Sequence, residues 1–302
     1  MTILITRHDK IGDFVTALPM CKVLKEQTDH KIVMLVSKVN VQLAKQFDFI
    51  DDVIEYSDDS FTLLGRLSPY KFDVSISGYI DFHLGLCLFL AKIPTRIAPA
   101  TKIAQIFFNK TIKQRRSNVT KTEWKYNLDL LLQFDSSLNL EFNRPLINLN
   151  KTKENRVVFH VGFGGSSDGN LTLVDYLKLG KSISEEYDIV YTFGPDDEES
   201  KQFIIKNLYF KATIRDDFTS LWDFTQFISQ SKLFVSTSTG PMHLAGLSNT
   251  DTFSFFGDSL FASSKRWATI SNEEKQNNFE VPANYDENFF KNIEKKLIDV
   301  LS

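Results

Sequence analysis

The stretch 232–247, Lys232-Leu233-Phe234-Val235-Ser236-Thr237-Ser238-Thr239-Gly240-Pro241-Met242-His243-Leu244-Ala245-Gly246-Leu247, decides the fold. Residues 233–235 are an apolar run long enough for a buried strand. Residues 236–239 are small and polar. Gly240-Pro241 then opens a helical pattern, and proline suits a first turn because its missing N–H has no intrahelical partner to lose. The pattern predicts a strand, a tight turn and a helix N-terminus. Such a turn aims backbone N–H groups and the positive end of the helix dipole at one point, a seat for a phosphate. A strand-to-helix turn with no ligand has the same pattern.

The same unit recurs outward in both directions. Upstream, 156–161 reads as a strand ending in His160, followed by Gly162-Phe163-Gly164-Gly165-Ser166-Ser167. Glycines there let the backbone approach a ligand and present N–H groups. The GxGxxG spacing is absent, so this is no dinucleotide fingerprint. A helix over 173–186, a strand over 189–193 and a helix over 218–229 lead into the central stretch. Downstream, a strand over 252–256 ends at Gly257-Asp258-Ser259, and 286–301 is an amphipathic helix. At the start of the chain, a strand over 3–6 meets the polar loop Arg7-His8-Asp9-Lys10-Ile11-Gly12-Asp13, then a helix over 14–25 that contains Pro19. Asp13 sits where a carboxylate N-cap is favoured. The same position is the C-terminal end of the first strand, where open α/β sheets place ligands. Strands over 31–36, 53–56 and 72–77 alternate with helices over 39–47, 61–67 and 81–91. Strands apolar on both faces predict parallel sheets covered by helices. The polar, Asn-rich segment 143–155 reads as a linker. Two successive α/β domains are expected, with a ligand cleft at their interface.

The totals fit that plan. The 302 residues exceed one usual core, and 42% hydrophobic with 24% charged content is ordinary for a soluble protein. Phenylalanine is frequent, at 27, and is a core residue first. Cys21 and Cys87 lie in apolar surroundings, which predicts a reduced compartment and neither a disulfide framework nor a metal cluster. With no signal-peptide pattern, and with the longest apolar run, 84–91, too short to span a bilayer, a cytoplasmic protein is expected. The net charge of −3 divides unevenly: residues 1–150 carry a surplus of three basic residues and the remainder a surplus of six acidic ones. The first half therefore suits an anionic partner, though not nucleic acid. Segment 101–125 sets Lys102, Lys110, Lys113, Arg115, Arg116, Lys121 and Lys125 against the single acid Glu123, after apolar Ile103, Ile106, Phe107 and Phe108. Such a stretch rests on an anionic membrane surface, holds a phosphorylated acceptor, or is a solvated basic face beside core aromatics. A helix over 124–134 follows it.

Three places resemble the heptosyltransferase family of lipopolysaccharide synthesis, glycosyltransferase family 9. They are Ile3-Leu4-Ile5-Thr6-Arg7 with Ile11-Gly12-Asp13-Phe14-Val15 and Leu18-Pro19; His160 to Ser166; and Ser238-Thr239-Gly240-Pro241-Met242-His243-Leu244-Ala245 with Phe256-Gly257-Asp258-Ser259. Order and spacing agree over almost the whole chain. The resemblance implies a GT-B architecture, two Rossmann-like domains with parallel sheets facing across a central cleft. Residues 1–150 then form the acceptor-binding domain and 151–283 the nucleotide-sugar-binding domain. Residues 284–302 are a helix crossing back to the first. The implied reaction is inverting transfer of a sugar, typically heptose from ADP-heptose, to a lipopolysaccharide core or related glycolipid. It needs neither cofactor nor metal, and peripheral contact with the inner face of the inner membrane is expected.

The resemblance also implies roles. Asp13 matches the catalytic aspartate, and an inverting transfer needs one base for the acceptor hydroxyl. Thr239 and Gly240 match the diphosphate contact, His243 matches the family's His one turn into that helix, and Gly164, Gly165 and Ser166 match the loop over the donor; Ser238, beside them, is also an expected donor contact. Arg7, Lys10, Gly12, Arg115 and Arg116 are the expected acceptor contacts. Two departures stand out. Ser238 replaces the family's usual Asp, and Asp168-Gly169-Asn170-Leu171-Thr172 lacks its Lys and Trp-Pro pair. A non-catalytic relative and an epimerase-like nucleotide-sugar enzyme are the alternative readings.

Overall fold

The computed structural model describes residues 1–149, 152–162 and 170–302. Two compact units divide the chain, Met1–Leu146 and Ile147–Ser302. In the first, strands β1 (Thr2–Arg7), β2 (Lys31–Val36), β3 (Asp52–Glu55), β4 (Val74–Ser77), β5 (Thr95–Pro99) and β6 (Lys110–Ile112) form one parallel sheet, ordered β3-β2-β1-β4-β5-β6. Helices α1 (Ile11–Gln27), α2 (Val41–Ala44), α3 (Ser60–Leu67), α4 (Phe82–Leu90) and α5 (Glu123–Asp129) connect or cover it. The second unit repeats the plan with β7 (Glu154–His160), β8 (Asp188–Thr192), β9 (Thr213–Arg215), β10 (Ser231–Thr237), β11 (Thr252–Gly257) and β12 (Gln276–Val281). Their order is β12-β11-β10-β7-β8-β9, all parallel. Its helices are α6 (Leu173–Ile183), α7 (Glu198–Asn207), α8 (Leu221–Ser229), α9 (Gly240–Leu247), α10 (Ser264–Trp267) and α11 (Glu287–Leu301).

Counted within each unit, both sheets run 3-2-1-4-5-6, the doubly wound Rossmann order. The strand order reverses between β1 and β4 and between β7 and β10, and such sheets take ligands beyond the carboxyl ends of their strands at these switch points. Ile3 pairs with Val74 at the first, and Ser236 with His160 at the second. The central strands are buried on both faces, which is why they read as continuous apolar runs.

Several elements differ from the sequence reading. Helix α1 starts at Ile11, with Lys10 as N-cap. Asp13 is therefore in the first turn rather than at the cap. The helix runs through Pro19, and Asn127 Nδ2 donates to the Thr16 carbonyl at 3.1 Å and to Thr16 Oγ1 at 3.0 Å beside the proline's gap in the ladder. Of 39–47 only Val41–Ala44 is α-helical, and of 124–134 only the part up to Asp129, with a 3-10 turn over Leu130–Gln133. Helix α11 buries Phe290, Ile293, Leu297 and Leu301 in the core of the second unit, against α6. Its last carbonyl, at Leu301, accepts from Tyr187 Oη at 2.8 Å and Lys232 Nζ at 2.9 Å. The segment 284–302 belongs to the second unit.

Candidate active site

At the first switch point, Arg7 closes β1 and its guanidinium spends its N–H groups inward. Nε donates to Asp9 Oδ1 at 2.8 Å and one terminal nitrogen donates to Asp13 Oδ1. The other donates to the Gly78 carbonyl at 3.2 Å and to Asn127 Oδ1 at 3.3 Å, and lies 3.6 Å from Glu123 Oε1. Gly78 makes room for this: a Cβ there would stand 3.2 Å from both Arg7 Cδ and Asn127 Oδ1. Burial alone would lower the Arg7 pKa, but Asp13, Asp9 and Glu123 raise it above its ordinary value. The result is a fixed cation, 4% exposed, gripping Asp13, whose side chain remains 16% exposed. A planar, always-charged fork suits such a multidentate post.

Arg116 turns toward the same cluster. It pairs with Glu123 Oε1, donates to Asn127 Oδ1 at 3.3 Å and to Gln114 Oε1 at 2.8 Å. Two guanidinium groups therefore hold three carboxylates, Asp9, Asp13 and Glu123. Of the expected acceptor contacts, Arg7 and Arg116 are committed to this network and Gly12 is buried in the first turn of α1. Lys10 and Arg115 are exposed, Arg115 with a left-handed backbone. Beside the network, His8 Nε2 meets Asp81 Oδ2 at 2.7 Å while its ring stacks on Tyr56 at 4.0 Å. Asp81 also caps α4 by accepting from Leu84 N at 2.7 Å. Burial would raise its carboxyl, but the His8 and Leu84 bonds hold it below the usual range.

At the second switch point, β10 runs through Ser238 and Thr239 into α9. Ser238 N donates to the Phe255 carbonyl at 2.9 Å, which ties the turn to β11. Thr239 is the N-cap, yet its hydroxyl donates back to the Thr237 carbonyl at 3.3 Å rather than capping the helix. The amide groups of the first turn thus keep no side-chain acceptor from the cap, the arrangement that suits an anion. His243, one turn in, is buried and meets the Trp267 ring edge-on at 6.4 Å. Next to Trp267, the buried Arg266 stacks on Phe261 at 3.7 Å and on Trp267 itself at 4.7 Å.

The neighbouring strand β7 ends at His160, whose Nδ1 lies 3.1 Å from Thr192 Oγ1 and whose Nε2 lies 3.9 Å from Asp197 Oδ2. Burial pushes the imidazole down to about 4, against an opposing pull from Asp197. Asp197 also accepts from Gly194 N at 2.7 Å and presses on Gly162, where a Cβ would fall 1.9 Å from its Oδ2. A larger residue there would have to displace the Asp197 carboxylate. Gly164, Gly165 and Ser166 lie outside the described residues.

Asp9, Gly78, Glu123 and Asn127 escaped the sequence reading, as did Arg266 and Asp197. One signal was present: Glu123 is the single acid in a basic segment. A carboxylate so isolated among cations is a pairing partner.

No family model matches the chain. A protein of Haemophilus influenzae assigned as a glycosyltransferase is 34% identical over 93% of this chain and 89% of its own length. Lipooligosaccharide heptosyltransferase 2 of Campylobacter jejuni is 25% identical over 85% of this chain and 81% of its own. Among solved structures, the E. coli ADP-heptose LPS heptosyltransferase II superposes with a TM-score of 0.81 at 16% identity, covering 100% of this chain and 98% of that one.

Proposed function

Because the chain belongs to the heptosyltransferase family of glycosyltransferases, family 9, we propose that it transfers a heptose, with inversion, from ADP-heptose to a lipopolysaccharide core or related surface glycan. The observation that carries this reading is the Asp13 carboxylate, held by the buried Arg7 at the carboxyl end of the first sheet. A carboxylate with a fixed rotamer is a base aimed in one direction. Asp13 takes the proton from an acceptor hydroxyl as that oxygen attacks the anomeric carbon. The new C–O bond forms on one face while the bond to the diphosphate breaks on the other, and the electron pair leaves with ADP. Arg7 acts as a positioning residue, since its N–H groups are occupied by Asp9, Asp13, Gly78 and Asn127.

The leaving diphosphate gathers negative charge as the bond breaks. The first turn of α9 offers amide donors and the positive helix end to it. Neutral Ser238 in place of an acid removes a like-charge repulsion from that turn. It offsets part of what the absent basic residue of the glycine loop would supply. Of the residues expected to contact the acceptor, Lys10 and Arg115 are exposed cations open to an anionic group.

A mixture of the protein, ADP-heptose and a lipopolysaccharide-core acceptor tests the reading. The expected result is a heptosylated product with inverted anomeric configuration and release of ADP. ADP at 100 times its Kd should stabilise the protein by about 2.7 kcal/mol and raise Tm accordingly, with no matching rise from UDP or GDP. No rise with any nucleotide at millimolar concentration, and no product, would favour a non-catalytic relative.

A further inference from the structure

The loop after β11 holds an aromatic ring in a fixed, exposed position. It runs Gly257-Asp258-Ser259-Leu260-Phe261-Ala262-Ser263 from the carboxyl end of the strand, and Phe261 is 57% exposed. Three bonds pin its backbone. Ala262 N donates to the Ser259 carbonyl at 3.0 Å, Ser263 Oγ to the Leu260 carbonyl at 2.8 Å, and Trp267 Nε1 to the Phe261 carbonyl at 3.0 Å. The buried Arg266 guanidinium backs the Phe261 ring at 3.7 Å. A ring held this way has lost its rotational freedom before any ligand arrives, so a ligand stacking on it orders nothing further. Rigid aromatic side chains left in water are characteristic contact residues.

The loop stands beside the first turn of α9. Strands β10 and β11 are paired neighbours, Thr237 opposite Phe255, and Ser238 N bonds the Phe255 carbonyl. Trp267, which holds the Phe261 carbonyl, meets His243 of α9 edge-on at 6.4 Å. Gly246 of the same helix lets Thr269 close in, since a Cβ there would lie 2.8 Å from Thr269 Cβ. The ring therefore lies on the β11 side of the turn. A nucleotide-sugar with its diphosphate at that turn extends from it in two directions. In doubly wound sheets the nucleoside ribose meets an acid past the end of the second strand. In this unit β8 is that strand, and exposed Asp196 and Glu198 follow it. The sugar end then points the other way, over β11. A sugar ring has an apolar face of C–H groups that packs on an aromatic ring, and a rim of hydroxyls. Asp258 and Ser259, exposed beside Phe261, are partners for such hydroxyls.

We infer that Phe261 is a contact for the donor's sugar, the face on which the sugar packs while its bond to the diphosphate is still intact. Phe261 thereby distinguishes a nucleotide that carries a sugar from the free nucleotide. The inference rests on the reading of the donor as a nucleotide-sugar seated at α9.

Calorimetric titration of the full chain with ADP and with ADP-heptose, in the absence of acceptor, tests it. Phe261→Ala and Phe261→Leu should each weaken ADP-heptose about tenfold, while the Kd for ADP stays within about twofold of the native value. Phe261→Tyr keeps the ring and should match the native protein with both ligands. Retained ADP binding shows at the same time that the variants are folded around α9. Native affinity of Phe261→Ala for ADP-heptose would overturn the inference. Equal loss of ADP and ADP-heptose would overturn it too, by giving the ring to the nucleoside or to the fold of the turn. A native chain that binds neither ligand would overturn the reading of the donor, and the sugar contact with it.

Discussion

At the scale of single residues, the Arg7 cluster concentrates risk. Removing Arg7 leaves Asp9, Asp13 and Glu123 crowded together without their shared cation, and breaking a buried ion pair from one side costs about 3–5 kcal/mol. Urea unfolding of Arg7→Ala should show a loss of that size, and Arg7→Lys should recover little of it because an ammonium cannot reproduce the fork. Gly162→Ala forces a methyl group into the Asp197 carboxylate, which Gly194 N holds in place; a destabilisation of about 1–3 kcal/mol is expected. His160 makes the second unit acid-sensitive. Its folded pKa lies below the ordinary 6.5, so the unfolded chain takes the proton first as pH falls. Its contribution is full above about pH 6.5 and is lost on the way to about 4. His160→Gln should therefore flatten the stability profile in that window, measured by denaturant midpoints at successive pH values.

At the scale of elements, legibility followed burial and local pattern. The central strands were readable because both faces are buried, and α9 was readable because Gly240-Pro241 announces a helix start. Strands β5, β6, β9 and β12 were not. Strands β6, β9 and β12 are edge strands, two of them only three residues long, at Lys110–Ile112 and Thr213–Arg215, while β5 lies inside its sheet but has only Ile97 and Ala98 as apolar residues between Thr95-Arg96 and Pro99. The run Gln276-Asn277-Asn278 reads as loop, yet it opens β12, pairing in register with Thr252, Phe253 and Ser254. There the neighbouring β11 supplies the hydrogen bonds that intrinsic propensity does not favour. Helix α11 was seen as amphipathic, but no periodicity says which body receives its apolar face. Its place in the second core makes a prediction: Leu297→Ala should cost about 2–5 kcal/mol, with the loss confined to the transition of the second unit in calorimetry.

At the scale of the whole molecule, each unit has its own sheet, core and switch point. Residues 147–302 expressed alone should therefore fold cooperatively and, on the proposed assignment of the donor, bind ADP. The sequence motifs located Asp13 and the β10–α9 turn because each is a local run of residues. The network around Asp13 was invisible to them: Arg7 meets Asn127 and Glu123 across more than a hundred residues of chain. No spacing rule reports such a contact; only the fold creates it. Asp13, so held, is the proposed base of a sugar transfer. Asp13→Asn, compared with the native chain in a steady-state assay with ADP-heptose and acceptor, tests it most directly. In that variant kcat should fall at least about 100-fold while the Kd for ADP changes little. Transfer within tenfold of the native rate would contradict it.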